Sequence, residues 1–247
     1  MWAFTGGEHY DEGQSHWKNG CGRSRVLGSE KEDDLSTWGW RRRKRLWASV
    51  PFTLVCPSHW LAAEARQSPL LADRRIEVIP NGLSTEVYSP FPKDEAKRAW
   101  GVQPGAKTVL FPSLDPNGDR RKGFDLLMEA LDQLRRSGHQ IHLLVLGAGH
   151  PKPGLEFRFP TTFLGRLQDD QALRLAYSAA DVVVVPSRQE NLANTLMEAM
   201  ACGVPTVAFR IGGNPDMIDH GSNGYLADPD DCGDLAHGIS LCLGTER

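Results

Sequence analysis

The sequence predicts an α/β protein with a doubly wound parallel sheet, preceded by a partial first domain. Three observations carry this. From Lys107 onward, short β-branched runs alternate with longer stretches of helical periodicity, the pattern of a parallel sheet with crossover helices. The runs themselves are continuously apolar, as in Val182–Val185, so those strands should be buried on both faces. Before Lys107 this alternation is almost absent.

The elements follow in order. Residues 108–111 form a first strand, and Phe124–Arg136 a helix whose apolar positions are Leu126, Leu127, Ala130, Leu131 and Leu134. Gly138 closes that helix, and 141–146 form a buried strand. Residues 161–164, 182–185 and 204–209 supply three more strands, separated by helices around 173–179 and 195–201. In such sheets ligands bind outside the carboxyl ends of the strands. The loops after Phe111, Leu146, Leu164, Val185 and Phe209 are therefore the places to look for chemistry.

Residues 1–34 are rich in Gly, Trp and polar residues without periodicity, a loop excursion too long for a complete small domain. Strands at 52–55 and 76–79 flank a helix at 60–66, about one βαβ unit and too little to close a core. Pro80, Asn81 and Gly82 break the pattern and 89–92 resemble a linker, which divides the chain into 1–82, a partial amino-terminal domain, and 83–247.

With 247 residues, net charge -3, 40% hydrophobic and 24% charged residues, the composition is that of a soluble globular protein. No apolar stretch approaches the ~20 residues that span a bilayer, and no charged-then-apolar leader opens the chain. The expected location is the cytoplasm or the cytosolic face of a membrane. Cys21, Cys56, Cys202, Cys232 and Cys242 show no metal-ligand spacing, so neither disulfides nor zinc are expected.

The segment 186–205, PSRQENLANTLMEAMACGVP, carries the most chemistry. A strand ends, a polar loop holds Glu190, a helix opens near Asn194, and Glu198 follows on its second turn. At 1.5 Å of rise per residue the two carboxylates stand roughly 10 Å apart or more. Paired glycosidase carboxylates are closer, about 5–9.5 Å, so the spacing suits gripping both ends of an extended ligand rather than hydrolysis. Between them, the backbone N–H groups of Asn194, Thr195 and Leu196 at the helix tip favour an anion. A nucleoside diphosphate sugar has this shape and charge. Arg120, Arg121 and Lys122, in the loop after the first strand of this domain, lie on the same sheet edge and would neutralise a departing diphosphate. The plainer reading of each is a solvated surface charge.

Together these residues resemble a known family. ENLANTLME, Lys122-Gly123-Phe124-Asp125, EAMACGVPTVAF, Gly212-Gly213 before Pro215 and Gly224-Tyr225-Leu226 are similar, in this order, to the carboxyl-terminal domain of family-four retaining glycosyltransferases. The resemblance runs from about Ile79 to Leu243, while residues 1–78 resemble only the later part of the family's first domain. It implies the two-domain B-type fold with Rossmann-like domains. It further implies that Glu190 contacts hydroxyls of the transferred sugar, Glu198 the ribose and Lys122 the diphosphate. Gly165 and Arg166 occupy the loop where the family recognises the base. The family's arginine five residues before that lysine is Asn117 here, and Arg121 or Arg120 substitutes for it. Transfer would retain configuration, with no cofactor and no metal, onto a saccharide or lipid-linked acceptor in polysaccharide assembly. The family's opening glycine-rich strand-turn-helix and its histidine-bearing segment are not visible. Residues 2–27 resemble a subgroup with several cysteines in this loop, of which Cys21 alone remains, so no metal is assigned.

Other features stay outside this scheme. Gly147-Ala148-Gly149 invites a dinucleotide reading, but the next glycine is Gly154, and Pro151 and Pro153 oppose a helix, so it is a plain loop. His9, His16 and His59 receive no role. WGWRRRKRLW, residues 38–47, fits either peripheral contact with an anionic membrane or a solvated cationic helix face. With a mildly acidic chain and no nucleic-acid motif, nucleic acid is excluded as a partner. Two other functions stand against transfer: a phosphorylase of similar architecture, for which no cofactor-lysine segment is present, and a truncated, catalytically silent nucleotide-sugar-binding module.

Overall fold

Six short apolar runs along the second part of the chain become one parallel sheet with helices packed on both of its faces. The computed structural model describes residues 4–10, 13–115, 118–148 and 157–244. Gly149, Pro151, Pro153, Gly154 and Asn117 lie outside the described residues. Two units are present, Met1–Asn81 and Gly82–Arg247.

The first unit contains a 3-10 turn at His16–Asn19, then α1 (Leu35–Trp47), β1 (Thr53–Cys56), α2 (His59–Arg66) and β2 (Arg75–Val78). β1 and β2 pair in parallel, Thr53 opposite Arg75, forming the expected single βαβ unit. Asp34 caps α1 by accepting from the N–H groups of Ser36 and Thr37 at 2.9 and 3.1 Å. Although burial opposes it, these hydrogen bonds and those from the Ser36 hydroxyl and Ser24 N–H hold the Asp34 carboxyl down at about 2. Phe4, Trp17, Trp40 and Leu71 centre the core.

The second unit runs α3 (Lys93–Ala99), β3 (Lys107–Ser113), a 3-10 turn (Arg120–Lys122), α4 (Phe124–Arg136), β4 (Ile141–Gly147), β5 (Thr161–Gly165) and α5 (Asp170–Ser178). It continues with β6 (Val182–Val185), α6 (Asn194–Ala201), β7 (Thr206–Phe209), a 3-10 turn (Asn214–Asp216), β8 (Gly224–Ala227) and α7 (Cys232–Cys242). All its strands pair in parallel, in the order β5-β4-β3-β6-β7-β8. Alternate residues serve opposite faces. Val109, Val145, Val184 and Val207 pack with Leu127, Leu131, Leu235 and Ile239 of α4 and α7. Leu110, Leu144, Val183 and Ala208 pack with Tyr177 and Leu196 of α5 and α6. Both sheet faces are thus covered, which is why the strands are apolar throughout rather than alternating.

Three elements were not expected from the sequence. α3 is short and dominated by charge, yet Lys97, only 3% exposed, anchors it by donating to Asp181 at 2.8 Å and to the Ala106 carbonyl at 2.6 Å. β8 opens on a glycine that reads as a loop. In the sheet that glycine is required, since a Cβ on Gly224 would stand 2.2 Å from the Thr206 carbonyl oxygen. α7 follows and is capped by Asp231, which accepts from Gly233 and Asp234 N–H. The strand expected at 204–209 begins at Thr206, because Val204 N–H is used by the Ala199 carbonyl in the turn ending α6. All five cysteines are free thiols. Among the described residues no helix is long and apolar enough to cross a membrane.

Candidate functional site

The strand order places a crevice at one point. The chain builds outward from β3 to β4 and β5, then returns and builds the other way from β6 to β7 and β8, so the sheet's direction of growth reverses between β3 and β6. Loops leaving those two strands diverge there and leave room for a ligand. The loop after β3 carries Arg120, Arg121 and Lys122, and the loop after β6 carries Glu190.

Two glycines let these loops come together. Gly123 sits at φ 66, and a Cβ on it would stand 1.8 Å from the Pro186 carbonyl oxygen. Gly212, at φ 52 in the loop after β7, approaches the Glu190 carbonyl so closely that a Cβ would lie 1.7 Å from its oxygen. Only glycine combines this left-handed backbone with this proximity. Backbone bonds complete the knit: Arg188 N–H donates to the Arg121 carbonyl and Gly213 N–H to the Asn191 carbonyl, both at 2.7 Å.

As a result Lys122 Nζ lies 2.9 Å from Glu190 Oε2, joining residues 68 positions apart. The carboxylate is 10% exposed and the lysine 34%, so the pair is partly desolvated. Asn191 N–H donates to the other Glu190 oxygen at 3.2 Å. Arg120 is exposed, whereas Arg121 is turned onto Asp119, donating from Nε at 3.0 Å and Nη2 at 2.7 Å. Asp119 therefore competes for the cation that was expected to replace the arginine lacking at position 117.

Glu198 projects from α6 toward α5, where the buried Tyr177 hydroxyl donates to its Oε2 at 2.5 Å. Burial and the neighbouring Glu198 carboxylate both push the Tyr177 phenol well above its ordinary range, which keeps it a donor. At the tip of α6, Asn194 is exposed and Thr195 half-buried, and the N-cap residue Ala193 offers no side-chain cap. One expected group is corrected. Leu196 N–H donates to the Ala193 carbonyl at 2.9 Å, because the first turn tightens to i→i+3 geometry, so it is not available to an anion. Gly165, at φ 67, ends β5 and donates its N–H to the Ala148 carbonyl at 3.1 Å; Arg166 follows, exposed, on the same sheet edge.

A family model described as "Glycosyl transferases group 1" matches residues 106–244, more than half of the chain and the whole of the sheet just described. The chain belongs to this family. Among group 1 relatives, the sulfoquinovosyl transferase SQD2 of Arabidopsis thaliana is 39% identical over 215 residues, covering 81% of this chain and 40% of the relative. D-inositol 3-phosphate glycosyltransferase of Mycolicibacterium smegmatis is 34% identical over 185 residues, covering 71% and 42%. The chain thus spans about two fifths of the length of these curated relatives. The structure of Anabaena HepE in complex with UDP and glucose matches with TM-score 0.65 at 25% identity, over 83% of this chain and 57% of that one.

Within this group 1 domain, sequence reasoning missed the residues that hold the loops. Arg188 forms a two-pronged bond to Asp125 at 2.7 and 2.8 Å, reaches Asp230 at 3.3 Å and donates to the Arg120 carbonyl at 2.9 Å. The Arg188 guanidinium holds the Asp125 carboxyl below its ordinary range. Ser113, the last residue of β3, and Ser187, two residues past the end of β6, are buried and have hydroxyls with no hydrogen-bond partner among the described residues. Neither serine stands out by type, and only their positions at or just past the ends of the two central strands would have marked them.

Proposed function

We propose that this chain binds a nucleoside diphosphate sugar at the β3/β6 crevice and transfers the sugar, with retention of configuration, to a saccharide or lipid-linked acceptor. The observation that carries this reading is the Lys122–Glu190 pair, which joins the loops after β3 and β6 four residues before α6 begins. Anion, hexose and nucleoside then have adjoining places. Thr195 and Asn194 at the helix tip receive the diphosphate, with Lys122 neutralising the charge that grows on its oxygens as the glycosidic bond breaks. Glu190 accepts hydrogen bonds from the sugar hydroxyls, and Glu198, braced by Tyr177, accepts from the ribose. Gly165 and Arg166 border the base.

Departure of the diphosphate and attack by the acceptor oxygen take place on the same face of the sugar, the acceptor proton passing to the leaving diphosphate. No cofactor or metal is required, because Lys122 and the helix tip carry the compensating charge. Membership of group 1 favours transfer over silent binding. The acceptor belongs to polysaccharide or glycolipid assembly at the cytosolic membrane face. There α1 supports peripheral contact: Trp38 is 58% exposed, and Arg41, Arg42 and Arg45 line a hollow beside it.

The test is incubation with uridine, guanosine and adenosine diphosphate sugars, UDP-glucose first because the Anabaena neighbour's complex holds UDP and glucose. Release of nucleoside diphosphate that depends on Glu190 and Lys122 supports the reading. No binding of any donor to the folded chain rejects it.

A further inference from the structure

The first unit holds a group of side chains with no part in the scheme above. Glu8, His16 and Cys21 bring a carboxylate oxygen, an imidazole nitrogen and a thiol sulfur within 4.8 Å of one another. Each is held from a different direction. Glu8, 4% exposed, has Oε2 at 2.9 Å from His16 Nε2. Its other oxygen accepts from the Ser24 hydroxyl, and its carbonyl accepts from the Thr5 hydroxyl at 2.7 Å. His16 opens the 3-10 turn, and its carbonyl accepts from Cys21 N–H at 3.0 Å.

The backbone is bent to deliver these groups. Ser15 (φ 53), Cys21 (φ 66) and Arg23 (φ 49) lie in the left-handed region, which non-glycine residues rarely occupy unless their surroundings impose it. Between Phe4 and Asp34 the described residues contain one 3-10 turn as their regular structure. Phe4 and Trp17, with ring centroids 4.7 Å apart, are the buried aromatics of this stretch. So irregular a segment in a small unit gains most from a cross-link.

We propose that Glu8, His16 and Cys21 bind a zinc ion that staples this segment. The donor set selects the metal: one thiolate and one imidazole exclude the oxygen-preferring calcium and magnesium, and a mixed S/N/O set whose tetrahedron a water completes suits zinc. The distances suit it as well. Bonds of about 2.0–2.3 Å in tetrahedral geometry put ligand atoms about 3.3–3.8 Å apart. The widest pair, at most 4.8 Å, closes by about 1 Å, and the Glu8–His16 contact opens slightly from 2.9 Å. Cys21 binds as the thiolate, its proton leaving to solvent on binding. This departs from the metal-free expectation drawn from cysteine spacing, because the ligands come from three residue types at intervals no common motif uses.

The experiment titrates cobalt(II), a spectroscopic stand-in for zinc, into the chelator-treated full chain, with folding followed by circular dichroism. The expected result is one equivalent bound with a thiolate-to-cobalt charge-transfer band, displaced by zinc. Cys21→Ser should lose the band and Cys242→Ser keep it. His16→Gln should weaken zinc by more than the roughly 10–100-fold that losing an outer-shell partner costs. A folded parent chain without the band, with the Glu8–His16 hydrogen bond only, overturns the proposal, as does a Cys21→Ser chain that retains it. Should the variants not fold, alkylation of the parent decides: zinc must protect Cys21, mapped by mass spectrometry, and equal labelling with and without zinc refutes the site.

Discussion

Replacing Gly123 by alanine tests whether close approach of the β3 and β6 loops creates the site. The change has two separable costs. The backbone at φ 66 disfavours any Cβ by about 1–2 kcal/mol. The methyl would also stand 1.8 Å from the Pro186 carbonyl oxygen, so one loop must retreat by more than 1 Å, an overpacking cost of about 1–3 kcal/mol. Gly138 supplies the control: at φ 88 its Cβ would meet nothing within 4 Å, so Gly138→Ala carries the first cost alone. Thermal unfolding should therefore show Gly123→Ala less stable than Gly138→Ala by about 1–3 kcal/mol, or about 2–12 °C in Tm at this domain size. Calorimetry should show donor affinity falling at least about tenfold in Gly123→Ala, because whichever loop retreats carries Lys122 or Glu190 away from the other. It should stay unchanged in Gly138→Ala. Equal losses of Tm, or an intact donor site in Gly123→Ala, would refute the reasoning.

Lys122→Ala should weaken nucleoside diphosphate binding by about 1.5–3 kcal/mol, the range for a hydrogen bond to a charged group, and flatten its salt dependence; titrations at two ionic strengths check both. Tyr177→Phe removes the hydroxyl that braces Glu198 while keeping the ring in the core. It should lower nucleotide affinity severalfold with a Tm loss of only a few degrees, read by calorimetry and thermal unfolding. Asp181 governs an acid limb. Although burial opposes it, bonds from Lys97, Lys93 and Thr108 N–H hold its carboxyl below the ordinary 3.8. A folded-state value below the unfolded one adds stability that is complete above the unfolded value and lost as pH falls through the folded one. Urea unfolding should therefore show stability declining below about pH 4, with a shallower decline in Asp181→Asn, which is also less stable at neutral pH.

Much of the second unit was legible in the sequence because its signals are one-dimensional. Val182–Val185 is apolar at every position since both sheet faces are covered, and α4 declares its buried stripe through Leu127, Leu131 and Leu134. What escaped depends on partners distant in the chain. β8 looks like a loop until Thr206 explains Gly224, and α3 looks like solvated charge until Asp181 explains Lys97. In the candidate site, Glu190, Glu198 and Lys122 were singled out by type, position and resemblance, and their roles stand as the proposal; what the structure adds is that Lys122 meets Glu190 and Tyr177 meets Glu198. Their braces were not singled out. Nothing in Arg188 or Tyr177 alone foretells Asp125 or Glu198, and the loss of the Leu196 N–H to a tightened first turn is a matter of local geometry. Glu8, His16 and Cys21 meet through left-handed residues that no periodicity announces.

The central claim is a division of labour between two carboxylates, Glu190 toward the sugar and Glu198 toward the nucleoside. Calorimetric titration of parent, Glu190→Ala and Glu198→Ala chains with UDP and with UDP-glucose, or with whichever nucleotide and donor sugar the panel identifies, tests it most directly. Glu198→Ala should weaken both ligands alike, while Glu190→Ala should leave the free nucleotide unchanged and abolish the extra affinity that the sugar confers. Identical affinities across the three chains, or a Glu190→Ala chain that loses the bare nucleotide while Glu198→Ala keeps it, would contradict the assignment.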